Sequence, residues 1–218
     1  DKNNRQLYTS LGCALKNILV AADYYGYETN YHFRSSTSGT VIEIDLDRQA
    51  GESSRPTEHL IHQIAIRTAN RNRYEPKQSL PVGFVDWLGK LAPTGFRLDL
   101  ITDQLLRWKI ADNVLRAGIE AMEDTAFRRE LSGYVRNNLT RKFTGMPCFG
   151  MGIPAVPSLF APTAIRFLNM NRLSRRSDEI LVKNYTPAFI VISSQQDRPE
   201  DWIMTGLLFE TIALEAGA

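Results

Sequence analysis

GCALKNILVAA, Gly12 to Ala22, and its echo GLLFETIALEA, Gly206 to Ala216, decide how this chain is read. The first puts Leu11, Leu15, Ile18, Leu19 and Ala22 on one face at i, i+4, i+7, i+8 and i+11, which predicts an amphipathic helix. Thr9 or Ser10 can cap its start, and Gly26 suits the residue just past its end. In the echo, Gly12/Gly206, Ile18/Ile212 and Ala22/Ala216 coincide, while Leu15/Phe209 and Val20/Leu214 agree in character. Upstream, DKNNRQL and DRPEDWI also run roughly parallel. Two related halves packed about a pseudo-twofold axis would produce such a repeat. Residues 1–218 then form a single domain, with 1–57 part of the first half and 58–218 the second, carrying a loop insertion at 137–186. The counterpart of the Gly26 stop falls beyond Ala218, so the chain is expected to end inside its last helix.

Between these helices the pattern changes period. Ile42, Ile44 and Leu46 alternate with Glu43, Asp45 and Asp47, which predicts a strand over Thr40 to Asp47 with one face wet. Glu58 to Arg67 reads as a helix with Leu60, Ile61, Ile64 and Ala65 buried. A short helix over Val82 to Leu91 precedes a strand at Phe96 to Ile101. Asp103 to Tyr134 follows as one long helix, or two joined near Gly118. The stretch Asn137 to Thr186 is rich in proline and glycine and reads as a long loop of the kind that serves as a lid. Ala188 to Ser193 is continuously apolar, as in a fully buried strand, and Glu200 to Ala218 closes the chain as a helix. The fold class is α+β.

Composition narrows the function. The 218 residues carry 26 Lys and Arg against 24 Asp and Glu, a net charge of +2, too small to draw nucleic acid or a membrane surface by bulk electrostatics. No apolar run reaches the roughly 20 residues of a membrane span, and the polar N-terminus lacks a signal-peptide core. Cys13 and Cys148 are far apart and set among apolar residues, so two reduced thiols packed in the core of a cytoplasmic protein are expected.

The segment Arg67-Thr-Ala-Asn-Arg-Asn-Arg-Tyr74 gathers three arginines and two asparagines directly after a helix. A guanidinium presents a planar fork of donors that fits phosphate oxygens. Arg67 and Arg71, four apart, can converge on one anion if the turn stays tight. The same composition also suits a solvated basic loop, and residue types alone leave both readings open.

IAIRTANRNRYEP resembles the Arg-rich phosphate clasp of the nitroreductase family, Arg-Arg-Ser/Thr-x-Arg-x-x-aromatic, with Arg67, Arg71 and Tyr74 on the matching positions. Thr68 replaces an arginine, Ala69 stands where a hydroxyl is expected, and Asn70 occupies a position often polar in the family's long, two-halved branch. SLGCALKNILVAADYYGY is similar to the family's Gly-x-Ala-x-x-Asn central helix. FRRELSGYVRNNLTRKFTGMP resembles the segment before the flavin-covering loop, and PAFIVISS with DWIMTGLLFETIALEAGA resembles the late strand and second central helix. The family's Asn-Gln-Pro-Trp opening does not occur in this sequence, and no Gly-x-Pro closing stretch follows the last helical segment.

The resemblance implies a central mixed sheet flanked by helices, with two long central helices. It implies flavin mononucleotide as cofactor, held by Arg67, Thr68, Asn70, Arg71 and Arg73, and NAD(P)H as electron donor to a small nitro- or quinone-like acceptor. Gly145 to Pro147 would lie in the loop closing over the ring. The site would form in a homodimer or an intramolecular pseudo-dimer. No catalytic side chain is assigned, because the cofactor does the hard step. A flavin-sequestering protein with a capped site, or a flavin-free relative, are the alternatives.

Three further patterns compete for a role. His59 and His62 lie three apart, a spacing that can bind metal, but no third ligand is evident. Gly150-Met-Gly152-Ile-Pro-Ala155 fits G-x-G-x-x-A formally, yet Pro154 stands where a helix should begin, so a loop is expected. Arg172, Arg175 and Arg176 are followed at once by Asp178 and Glu179, as on a solvated face.

Overall fold

The computed structural model describes residues 3–37, 39–48, 57–67, 74, 80–168, 179–180 and 182–218. It divides into two compact units, one drawn from Asp1–Asn72, Ser79–Leu100 and Ile190–Ala218, the other from Arg73–Gln78 and Ile101–Phe189.

The first unit is built on two helices, α1 at Arg5–Tyr24 and, last in the chain, α8 at Pro199–Glu215. Tyr8 stacks on Trp202 near their starts, with ring centroids 5.8 Å apart, and Val20 and Leu214 share a buried cluster near their ends. The helices therefore run in the same direction. Their closest approach is at the glycines of the repeat. A Cβ on Gly12 would lie 1.9 Å from the Ile203 carbonyl oxygen, and one on Gly206 would lie 1.9 Å from that of Thr9. Thr9 and Ile203 each sit three residues before their own helix's glycine, so the crossing is reciprocal. Equivalent residues Tyr8 and Trp202 meet each other, as they must near a twofold axis. The two helices of the repeat thus pack reciprocally about a local twofold.

That crossing also decides which face of α1 is buried. Gly12, Leu15, Val20 and Ala22 are buried, whereas Leu11 and Ile18 stay exposed. The expected stripe is rotated toward the glycine, because only there can the two backbones touch. The start differs too. Thr9 and Ser10 do not cap; their hydroxyls donate to the Arg5 and Gln6 carbonyls inside the helix, which begins after Asn4. Gly26, with φ of 79°, follows the helix as expected, and its N–H donates to the Asp23 carbonyl. Pro199 opens α8, and Asp201 Oδ2 accepts from the Arg198 backbone N–H and Nε, both at 3.1 Å. The helix closes at Glu215, where the Ala216 and Gly217 N–H groups reach back to Ile212 and Leu214, so it does not run to the last residue.

Two strands, β1 at Tyr27–Ser36 and β2 at Gly39–Arg48, form an antiparallel hairpin in which Phe33 pairs with Ile42 and Tyr31 with Ile44. On the opposite face His32 and Arg34 pair with Glu43. Helix α2, Glu58–Ile66, buries Leu60 against Val20 and Leu214, with Ile61 and Ile64 beside it. Ala65 is exposed rather than part of that stripe. Asp23 ties its start to the end of α1 by accepting from the Thr57 N–H at 3.2 Å and from the Thr57 hydroxyl. Helix α3, Phe84–Leu91, buries Leu88. Strands β3, Phe96–Ile101, and β6, Phe189–Ser194, pair with each other. Val191 is 39% exposed, so β6 is not the fully buried strand its composition predicts.

In the second unit α4, Gln104–Glu123, and α5, Thr125–Tyr134, are separated at Asp124, not at Gly118. Asp124 has extended backbone, and its carboxylate accepts from the Ala126 N–H at 2.7 Å, a stronger start signal than a helix glycine is a stop. On α4 the buried residue is Ala111, while Leu106 and Val114 are exposed. The segment expected as loop carries regular structure among its described residues. Val135–Arg136 (β4) and Met146–Pro147 (β5) pair in parallel, a 3-10 turn spans Cys148–Met151, and helices α6 and α7 occupy Ala155–Ser158 and Ala161–Phe167. Val135, Cys148, Ala161 and Ile165 make its core.

The architecture is α+β. Among the described residues its strands form three separate pairs, β1–β2, β3–β6 and β4–β5, in place of the single central mixed sheet expected. The long hairpin satisfies its backbone locally, and no described strand pairs with its outer edges. No described helix is long and apolar enough to cross a membrane.

Candidate functional site

Arg67 is where the sequence reading and the described structure meet. It follows the last residue of α2 with extended backbone, φ −59° and ψ 127°, and its N–H still donates to the Gln63 carbonyl at 2.8 Å. The chain thus leaves the helix at the arginine. The rest of the predicted clasp, Thr68, Asn70, Arg71 and Arg73, lies outside the described residues, as do Arg172, Arg175 and Arg176. Tyr74 is described and exposed.

The Arg67 side chain turns back onto α8. Its Nε lies 3.3 Å from Glu210 Oε1, and the Glu210 side chain is only 3% exposed against 32% for Arg67. A carboxylate that deeply buried requires a cationic partner to remain charged. The approach is an ion pair without hydrogen-bond alignment, and among the described residues the buried Nε–H has no hydrogen-bond acceptor. Asn17 Oδ1, on α1, is likewise buried without a donor among the described residues. Cys13, four residues before Asn17 and so on the same side of α1, donates to the Gly206 carbonyl at 3.4 Å. Burial and then Glu210 push its thiol above the ordinary range, with Arg67 pulling the other way. The α1–α8 crossing therefore carries a polar strip: Cys13, Asn17 and Glu210, with Arg67 reaching in from α2.

A phosphate-holding arginine needs its stem fixed and part of its donor fork open to solvent. Arg67 meets both requirements, through the buried Glu210 at Nε and its own partial exposure. Glu210 was missed by sequence reading, although a signal existed: it is the one charged residue on the inward side of GLLFETIALEA, four after Gly206.

Each of the other predicted elements has its own local setting. His59 Nε2 sits 3.3 Å from Glu215 Oε2, and among the described residues no group of three His, Cys, Asp or Glu could hold a metal ion. Gly150 and Gly152 belong to the 3-10 turn and its exit, not to a strand-to-helix phosphate loop. Met146–Pro147 is the short parallel strand β5 of the second unit. Cys13 and Cys148 are both free thiols. No protein-family model, curated protein or solved structure matches this chain.

Proposed function

We propose that this chain is a flavin-mononucleotide-binding oxidoreductase of the nitroreductase type, with the cofactor phosphate held at the end of α2. The observation that carries the reading is the reciprocal Gly12–Gly206 crossing with Arg67 docked against it. It supports the intramolecular pseudo-dimer that the two-halved branch of that family implies, with α1 and α8 as the two central helices. When bound, flavin mononucleotide supplies hydride chemistry between NAD(P)H and a small nitro- or quinone-like acceptor. Arg67 supplies one fixed guanidinium to the phosphate, and Thr68, Asn70, Arg71 and Arg73 are the further donors of the clasp. No side chain is required as acid or base.

The test is to load the purified protein with flavin mononucleotide, desalt it and read its absorbance. The reading predicts a retained, roughly stoichiometric flavin band that Arg67→Ala with Arg71→Ala abolishes and NADH bleaches anaerobically. A band untouched by the double substitution would remove the clasp. A retained band that no nicotinamide bleaches would make the protein a flavin store.

A further inference from the structure

Glu210 is the most deeply buried charged side chain described and faces the one clasp arginine that the structure places. Two roles are physically open to it, and they predict opposite signs. As a nearby negative charge it repels a phosphate, so its removal would tighten binding. As an anchor it fixes the guanidinium plane, so its removal would free Arg67 to rotate and weaken binding.

The geometry favours the anchor. Glu210 meets Arg67 at Nε, the stem side of the guanidinium. A carboxylate competing for the phosphate position would take the terminal fork instead. Glu210 is also held by a rigid element, one turn beyond Gly206, where α8 is locked against α1. Glu210 is buried while Arg67 remains one-third exposed, so an anion arriving from solvent meets the guanidinium first. From this juxtaposition we infer that Glu210 is the positioning residue of the phosphate clasp, setting the orientation in which Arg67 receives a phosphate monoester. The inference rests on the flavin reading and adds to it a determinant of phosphate recognition.

The test compares flavin mononucleotide with riboflavin, which lacks the phosphate, as ligands of the wild type, Glu210→Leu and Glu210→Gln. The leucine removes the carboxylate and fills the space; the glutamine keeps an oxygen toward Nε and is the safer variant if leucine fails to fold. Glu210→Leu is expected to weaken flavin mononucleotide about tenfold, the order of one charge-assisted hydrogen bond, and to leave riboflavin unchanged. Glu210→Gln should retain most of the affinity. In parallel, the Arg67 Nε–H resonance should shift between the wild type and Glu210→Leu, reporting the loss of the neighbouring carboxylate. Tighter or unchanged flavin mononucleotide binding in Glu210→Leu overturns the inference alone. Equal loss of both ligands also overturns it, since that reports damage to the fold. A folded wild type that binds neither ligand overturns it together with the reading on which it rests.

Discussion

Gly12→Ala should destabilise the first unit by about 3 kcal/mol, although alanine is the better helix former by about 1 kcal/mol. The added Cβ would lie 1.9 Å from the Ile203 carbonyl oxygen and 2.8 Å from the Leu207 nitrogen. A carbon needs about 3.3 Å or more from a carbonyl oxygen. The helices must therefore separate by roughly 1.4 Å. A gap of about 1 Å already forfeits up to half of each dispersion contact. Leu15, Val20, Ile203 and Leu214, all 1% exposed or less, lie along the two helices that would move apart. Overpacking of this kind costs about 1–3 kcal/mol and sometimes more; contact with backbone, which cannot rotate away, puts Gly12 at the top of that range. Gly206→Ala, meeting the Thr9 carbonyl at the same distance, should match it. The internal control is Gly89→Ala in α3, where nothing lies within 4 Å of the new atom. There only helix propensity acts, and the variant should gain about 0.5–1 kcal/mol. In urea, with a slope near 2 kcal/mol per molar, Gly12→Ala should lower the midpoint by about 1.5 M while Gly89→Ala raises it. Gly12→Ala as stable as the wild type would refute the close crossing and with it the structural basis of the pseudo-twofold.

Further outcomes follow from burial and charge. Leu15→Ala should cost about 3 kcal/mol in thermal or urea unfolding, and Phe209→Ala, at the equivalent but 55% exposed position, less than about 1 kcal/mol. The Cys13 thiol is held above 9.0 by burial and Glu210, so its contribution to stability is complete below that value and lost as the pH rises past it. The stability of the wild type relative to Cys13→Ser should therefore decline in alkaline titration, and a flat difference would contradict the burial. Glu43 is held below 4.5, first by its hydrogen bond with His32 and also by Arg34. Its favourable contribution is present above the ordinary carboxylate value and fades as the pH falls through the lowered one. In His32→Ala, the Glu43 carboxyl resonance should titrate closer to 4.5; an unmoved midpoint would show that His32 does not hold it.

What the sequence disclosed was whatever rests on local pattern. The repeat of Gly12 and Gly206 was visible because a close helix crossing requires glycine at both contact points. Strands over Thr40–Asp47 and Phe96–Ile101 were readable because their alternation is strict. Strand β1, paired along β2, was not read from the sequence, although Tyr31 and Phe33 alternate with the polar Asn30, His32 and Arg34. The sequence left open one long helix or two joined near Gly118, but a glycine inside a long helix only weakens it, whereas the Asp124 carboxylate starts a new one. Arg67 could be singled out from its neighbours. Its tie to Glu210 could not, because it joins residues far apart in the chain through a tertiary contact that no periodicity encodes.

The most direct test of the central claim is a fluorescence titration of flavin mononucleotide into the purified chain, with folding checked by circular dichroism. The account predicts saturable quenching with a stoichiometry near one flavin per chain. A folded chain that leaves flavin fluorescence unchanged would contradict it.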